Sequence, residues 1–194
     1  MSGPALYEQP WPEGDYRFFQ LGHVVDDVIA AADRWSRTFG VGPFHVLPIV
    51  EQRLTHGPDD VRTLRIQVAV AQAGPVQIEL IQQHCRTPSI YRDWSRGGTS
   101  GFHQLATVTS DYDARKAHFA ALGHDIVAES LGGRFRIAYV DTAGEFGFYT
   151  EVVEHTPGFL EQLDAISRTC ATWDGFDPVR LLTRDGYRVP GQER

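Results

Sequence analysis

The stretch Phe19-Gln20-Leu21-Gly22-His23-Val24-Val25-Asp26-Asp27 decides the fold, because a related stretch recurs in the second half of the chain. That second stretch reads His103-Gln104-Leu105-Ala106-Thr107-Val108-Thr109-Ser110-Asp111. In both copies a Gln-Leu pair opens a strand-like run, and an Asp follows at the same distance from the Gln. An amphipathic segment comes next and ends at Gly40 or Gly123. The repeat predicts two copies of one structural module.

The first copy predicts the order strand, helix, strand, strand, strand. Alternating and β-branched residues at 18–25 indicate the first strand. Asp26 or Asp27 would cap the helix, and Val28, Ala31 and Ala32 would lie on its buried face. Three further strands are expected, near 44–54, 61–72 and 75–83, with Gly- and Pro-containing turns between them.

The second copy predicts the same order in a shorter space. A strand at 102–109 precedes a helix at 111–122 that Asp111 would cap. Strands are expected near 124–130, 134–141 and 146–154. Residues 157–172 then predict a C-terminal helix, and the tail that begins at Trp173-Asp174-Gly175 is expected to be irregular.

These elements divide the 194 residues into five segments and predict the α+β class. The segments are an N-terminal extension (1–17), a first βαβββ module (18–84), a linker with one helical turn (85–100), a second βαβββ module (101–154), and a C-terminal helix with its tail (155–194).

Each module closes with an apolar strand that carries one central carboxylate. Glu79 lies in Ile78-Glu79-Leu80-Ile81, and Glu151 lies in Thr150-Glu151-Val152-Val153. A buried carboxylate is costly unless something there needs it. Equivalent positions in two modules therefore indicate one polar site at their junction, although each Glu could also face water on an alternating strand.

Composition excludes several classes of partner. The net charge is -7 and the chain has no basic run, which argues against nucleic acid and anionic membranes. No apolar run approaches the roughly 20 residues of a membrane helix, and residues 1–14 lack the apolar core of a signal peptide. Cys85 and Cys170 show no metal-binding spacing and form no disulfide framework. We therefore expect a cytoplasmic protein.

The tandem βαβββ order, with polar residues in the first and last strand of each module, resembles the vicinal oxygen chelate superfamily. Its members include glyoxalase I, methylmalonyl-CoA epimerase, extradiol dioxygenases and bleomycin- and fosfomycin-resistance proteins. The matching segments span most of residues 18–154, and the tail resembles that of bacterial glyoxalase-like proteins. The resemblance implies a curved, open mixed sheet with helices on its outer face.

The resemblance also implies a divalent metal held by four side chains, which by register are Gln20, Glu79, Gln104 and Glu151. Gln104 departs from the family, which usually has His there. His103 is the alternate ligand, but adjacent strand residues point to opposite faces unless a bulge intervenes. Oxygen ligands alone favour Mg or Mn, whereas His103 would admit Ni, Co, Fe or Zn.

Two carboxylates in a partly dry cavity repel each other and resist ionisation. Either a cation neutralises them, or the site is metal-free and one carboxyl keeps a proton, so that Glu79 and Glu151 become the catalytic acid and base. We expect a glyoxalase-like isomerase or lyase that moves a proton next to a carbonyl or hydroxyl of a small, largely apolar molecule.

The alternative is a non-catalytic, drug-sequestering protein that binds a small molecule in the same cavity. Buried carboxylates favour the enzyme over this alternative, because apolar binding alone would not need them. A dioxygenase is the least favoured activity, since it requires two His ligands and this register supplies at most one. The resemblance allows a homodimer as well as a single chain.

Overall fold

Two βαβββ modules follow one another along the chain in the computed structural model, which describes residues 17–57, 59–94, 101–133 and 135–191. The first module consists of β1 (Arg17–Val24), α1 (Val28–Phe39), β2 (Phe44–Val46), β3 (Val50–Thr55), β4 (Val61–Ala73) and β5 (Val76–Gln83). The single strand expected near 44–54 is split into β2 and β3. Pro48 lies in the break, where it cannot donate to a strand ladder.

A short helix connects this module to the second one. The remaining elements are α2 (Ile90–Trp94), β6 (Gly101–Thr109), α3 (Tyr112–Ala121), β7 (Ile126–Ser130), β8 (Ile137–Val140), α4 (Ala143–Phe146), β9 (Tyr149–Glu154), α5 (Pro157–Ala171), β10 (Val179–Thr183) and β11 (Gly186–Arg188). The predicted N-terminal extension, apart from Arg17, lies outside the described residues, as does the linker segment 95–100.

The repeated Asp caps the first helix of each module. Oδ1 of Asp27 accepts hydrogen bonds from the backbone N–H of Ile29 at 3.0 Å and of Ala30 at 2.9 Å. Oδ1 of Asp111 accepts from the N–H of Ala114 at 3.0 Å. These bonds satisfy amide groups that have no partner inside the helix. The sequence repeat therefore reflects a strand-to-helix turn that is built twice.

The strands form one curved mixed sheet. Within each module the first and last strands are parallel neighbours, β1 with β5 and β6 with β9, and antiparallel pairing of β1 with β6 joins the modules. The far edges also meet, through two residue pairs between β3 and β7, Leu54 with Ser130 and Thr55 with Glu129. The α+β class and the curved βαβββ sheet are confirmed. The edge that was expected to be open is bridged by this short seam.

The helices α1 and α3 cover the outer face of the sheet, as expected. Val28 of α1 belongs to a buried cluster with Ile78 and Leu80 of β5. Tyr112, the first residue of α3, packs with Val140 and Val152. Burial of these apolar side chains supplies the main attraction between helix and sheet. The outer face of β5 and β9 is therefore apolar, whereas their inner face carries one carboxyl group each, Glu79 and Glu151, among apolar side chains.

Helix α5 lies on the inner side of the sheet, unlike α1 and α3. Its residues Phe159 and Leu163 pack with Phe19, Val108 and Val153. The rings of Phe159 and Phe19 meet edge to face, with centroids 5.4 Å apart. The helix thus forms part of the wall of the space that the curved sheet surrounds.

The tail after α5 is not irregular throughout, which corrects the expectation from sequence. Strand β10 pairs in parallel with β2, and β11 folds back on β10 as a hairpin. Gly186 adopts a φ of 130° at this turn, a conformation that favours glycine. Within the described ranges, no helix is long and apolar enough to cross a membrane.

Candidate active site

A cavity of about 260 Å³ lies inside the curved sheet. Both strand-centre carboxyl groups, Glu79 and Glu151, line it together with Gln20. The rest of its wall is mostly apolar and includes Val68, Ile81, Val153, Phe159 and Leu163. A small polar cluster in an apolar cavity is the usual arrangement of a small-molecule site.

Strand alternation explains why the two carboxyl groups point inward. Ile78 and Leu80 are buried beneath α1, so Glu79 between them faces the cavity. Val152 is buried beneath α3, so Glu151 next to it faces the cavity as well. The two Glu residues occupy equivalent strands because the module is repeated. The curvature of the sheet brings the inner faces of these two strands together.

The amide of Gln104 joins the two carboxyl groups. Its Nε2 donates to Oε2 of Glu79 at 3.1 Å and to Oε2 of Glu151 at 2.9 Å. The Gln104 side chain is completely buried, and Glu151 is 4% exposed, whereas Glu79 keeps more of its surface open to the cavity. Three of the four side chains expected at the site therefore meet in one hydrogen-bonded cluster.

The fourth side chain, Gln20, lies in the same cavity wall but makes a different contact. Its Nε2 donates to Oε1 of Gln77 at 2.6 Å. The strand pairing is irregular between Phe18 and Gln20, where Phe19 is the extra residue. This bulge lets both Phe19 and Gln20 line the cavity, although they are adjacent in sequence.

A second irregularity in the pairing of β1 with β6 places His103 beside Gln104. Gly22 pairs with Gln104 and His23 pairs with Phe102, which leaves His103 as the extra residue. The two neighbouring side chains consequently touch, with His103 Nδ1 2.5 Å from Oε1 of Gln104. Strict alternation of side chains along a strand predicts His103 on the opposite face from Gln104. The bulge interrupts the alternation at this point.

His103 holds the amide of Gln104 in one orientation. Its ring is fully buried against the rings of Tyr91, Trp94 and Tyr149, with centroids 5.1 to 5.6 Å away. Burial lowers the pKa of His103 to about 4, so the imidazole is neutral near pH 7. The neutral ring has one N–H, and we place it on Nδ1, which donates to Oε1 of Gln104 across the shorter of the ring's two polar contacts. Nε2 then lies 3.3 Å from the backbone oxygen of Ile90 without donating to it. The amide nitrogen is then turned towards the carboxyl groups.

Two tyrosines that sequence reasoning missed complete the cluster. The Tyr139 hydroxyl donates to Oε1 of Glu151 at 3.3 Å, and the Tyr91 and Tyr139 hydroxyls are 2.8 Å apart. Burial raises the pKa of both phenols, so both stay protonated. Tyr139 pairs with Glu151 across β8 and β9, so strand parity could have found it. Tyr91 lies in α2 and gave no signal in the sequence.

The surroundings raise the pKa of both carboxyl groups, for partly different reasons. Burial raises the pKa of Glu79 well above its usual range, repulsion from Glu151 adds to this, and donation from Gln104 opposes it. Burial raises the pKa of Glu151 to about 7, against hydrogen bonds from Gln104 and Tyr139 that favour its ionised form. Repulsion makes the pair lose its two protons in separate steps, and the additional hydrogen bond from Tyr139 favours Glu151 as the carboxylate of the singly ionised pair.

These residues, as arranged, do not fit the divalent metal that the resemblance implies. The atom between the two carboxyl groups is the amide nitrogen of Gln104, which carries hydrogens and is no metal ligand. Gln20, expected as a ligand, has its amide paired with Gln77. In the described part of the chain, no group of three His, Cys, Asp or Glu side chains could hold a metal ion, so a metal at this site would need an amide oxygen as a ligand. The divalent metal that the resemblance implies stays a prediction, which a metal titration tests.

Comparison with known proteins agrees with this fold. The sequence model of the Glyoxalase/Bleomycin resistance protein/Dioxygenase superfamily matches residues 19–139. No curated protein matches the chain in sequence.

Among solved structures, methylmalonyl-CoA epimerase from Mycobacterium tuberculosis is similar with a TM-score of 0.54 and 20% identity, over 79% of this chain and 97% of that one. The Streptomyces coelicolor methylmalonyl-CoA epimerase in complex with 2-nitronate-propionyl-CoA has a TM-score of 0.51 and 17% identity, over 74% of this chain and 96% of that one. A hypothetical protein from Bacillus halodurans has a TM-score of 0.52 and 15% identity, over 72% of this chain and 94% of that one. At these identities the likeness shows the fold alone.

Proposed function

Because the chain belongs to the Glyoxalase/Bleomycin resistance protein/Dioxygenase superfamily, we propose that it is an isomerase or lyase that moves a proton next to a carbonyl or hydroxyl group. The substrate is a small, largely apolar molecule bound in the cavity inside the sheet. Glu79 and Glu151 are the acid and the base. The proposal rests on one observation above all: two carboxyl groups, Glu151 buried and Glu79 partly buried, share the amide of Gln104 inside an apolar cavity.

The surroundings of the two carboxyl groups support different roles for them. Glu151 accepts hydrogen bonds from Gln104 and Tyr139, which stabilise a carboxylate. Among the described residues, Glu79 accepts only from Gln104, and burial and the repulsion of Glu151 raise its pKa, which favours its protonated form. Glu151 is therefore the base and Glu79 the acid, a division of roles that is typical of paired carboxyl groups in active sites.

The reaction begins when the Glu151 carboxylate removes a proton from the carbon next to the substrate carbonyl. The electron pair of the broken C–H bond forms a carbon–carbon double bond. The carbonyl oxygen meanwhile takes the proton of Glu79, which gives a neutral enol and a Glu79 carboxylate. When that carbon carries a hydroxyl group, the intermediate is an enediol: Glu151 returns its proton to the former carbonyl carbon, the other hydroxyl gives its proton to the Glu79 carboxylate, and the carbonyl has moved by one carbon. Departure of a leaving group from the adjacent carbon would instead make the reaction an elimination.

The cavity supports a small substrate. Its volume of about 260 Å³ is below the usual range for drug-sized ligands. Phe159 and Leu163 of α5 lie across from the strands and limit its length. The apolar part of the substrate would pack on these side chains, and its oxygen-bearing part would lie at Glu79 and Glu151.

Solvent deuterium incorporation into a panel of small carbonyl compounds, followed by mass spectrometry, tests the proposal. We expect exchange by the wild type and a loss of about 10²-fold or more in Glu79→Gln and Glu151→Gln, the usual scale of general acid–base catalysis. Glu161→Gln is the matched control, because Glu161 is exposed on α5. Equal exchange by the wild type and both site variants would rule out proton transfer by these residues.

The competing function is non-catalytic binding of a small molecule in the same cavity. A binder would show no exchange with any compound, and its affinity would change little in the two Glu variants, because apolar walls would supply most of the contact. The ionisable cluster in the cavity favours the enzyme over the binder, since buried carboxyl groups cost free energy that binding to an apolar molecule does not require.

A further inference from the structure

The amide of Gln104 occupies the place between the two carboxyl groups where a cation would be expected. One nitrogen, Nε2, lies within hydrogen-bond distance of both Glu79 and Glu151. An amide nitrogen can donate two hydrogens in different directions, so it can serve both carboxyl groups at once. The contact that a metal ion would make with both groups is thus made by this chain's own side chain.

The surrounding structure holds Gln104 in that place. His103 contacts its oxygen at 2.5 Å and is itself packed among aromatic rings. On the opposing strand, Gly22 leaves the space that the Gln104 side chain fills, because a Cβ on Gly22 would lie 2.5 Å from Cγ of Gln104. A rotation that exchanged the amide oxygen for the nitrogen would bring that oxygen against both carboxyl groups, and His103 would have to move its proton to Nε2, towards the backbone oxygen of Ile90. The two hydrogen bonds to the carboxyl groups and the short contact with His103 favour the first orientation.

From these contacts we propose that Gln104 takes the place of a divalent cation in this protein, and that the site is built to work without one. His103 and Gly22 are positioning residues that keep the amide nitrogen towards the carboxyl groups. This inference concerns the site of the proposed function but does not depend on the reaction, so metal binding can test it apart from any activity.

The test is a titration of chelator-treated protein with Co²⁺ and Mn²⁺, followed by calorimetry and, for Co²⁺, by visible absorption. We expect the wild type to bind neither ion stoichiometrically. The variant Gln104→His replaces the amide by an imidazole beside two carboxylates, a ligand set that suits Co²⁺. Its affinity should exceed that of the wild type by about 100-fold or more, because loss of a residue that merely orients a metal ligand already changes affinity by up to about 100-fold.

Two further variants make the result decisive. Gln162→His puts an imidazole in the same cavity from α5 but leaves the Gln104 amide between the carboxyl groups, and should gain no affinity. Gln104→Glu supplies a third carboxylate of nearly the same shape, should Gln104→His fail to fold. Stoichiometric binding by the wild type would overturn the proposal. If at least one Gln104 variant is folded and neither variant binds an ion, the amide does not stand at a cation position. That result would also overturn the proposal.

Discussion

The side chain of Gln104 lies directly over the α-carbon of Gly22, its partner across the junction of the two modules. A Cβ built on Gly22 would lie 2.5 Å from Cγ and 2.9 Å from Nε2 of Gln104. These distances are too short for any side chain at position 22. The absence of a side chain in the first module therefore makes room for the central amide of the second.

Gly22→Ala should displace Gln104 and cost about 1–3 kcal/mol of unfolding free energy, the usual cost of overpacking. Urea unfolding of both proteins measures the difference. Gly101→Ala is the control, because no atom lies within 4 Å of the Cβ it would add. If Gly22→Ala is as stable as the control, the close approach of Gln104 does not constrain position 22.

The sequence repeat predicted the fold and the meeting of three side chains in the cavity, because each copy carries two recognisable local features. The Asp of each copy caps a helix, and the Glu of each closing strand faces inward by alternation. Both features are local, so one sequence suffices to find them. Glu79, Gln104 and Glu151 accordingly converge as expected.

The rest of the site depends on features that alternation does not encode. Bulges at Phe19 and His103 turn neighbouring residues towards the same space. Gln20 pairs with Gln77, a contact set by the register of β1 on β5. Tyr91 reaches the site from α2, in a segment whose sequence predicted only a linker with one helical turn.

Stability should depend on pH in a way that reports the raised pKa of the carboxyl pair. Between the ordinary Glu value of 4.5 and about 7, the folded protein holds more protons than the unfolded chain. The free energy of unfolding therefore falls as pH rises through this window, by about 1.4 kcal/mol per pH unit for each proton retained.

Glu79→Gln removes one of the two interacting groups, so its stability should fall less steeply with pH than that of the wild type. The measurement is the difference in unfolding free energy between variant and wild type from pH 5 to 8, in which the common contribution of the histidines cancels. Glu161→Gln, exposed on α5, should show a constant difference. A constant difference for Glu79→Gln as well would contradict a raised pKa in this pair.

Tyr139→Phe removes a hydrogen bond to Glu151 and should raise the pKa of that carboxyl further, because the bond favours the ionised form. In the pH profile of deuterium exchange, the acid limb should move to higher pH. The unfolding free energy should fall by about 1 kcal/mol. Tyr187→Phe is the control, since Tyr187 is an exposed residue of β11. An acid limb that stays in place would mean that Tyr139 does not tune Glu151.

Phe159→Ala tests the part that α5 plays in the cavity. Phe159 is 6% exposed and packs on Phe19 and Phe135. Its truncation should cost about 3–5 kcal/mol in unfolding free energy. The variant should also accept longer apolar compounds in the exchange assay. Phe176→Ala is the control, because Phe176 is 75% exposed. A change in stability no larger than the control's would show that α5 does not close the cavity through Phe159.

Solvent deuterium incorporation by chelator-treated protein tests most directly whether Glu79 and Glu151 form an acid–base pair that works without a metal ion. With a compound that the wild type exchanges, we expect the same rate before and after chelation and a rate about 10²-fold lower in Glu151→Gln. Exchange that disappears on chelation and returns with added Mg²⁺ or Mn²⁺, or that is unchanged in Glu151→Gln, would contradict the account.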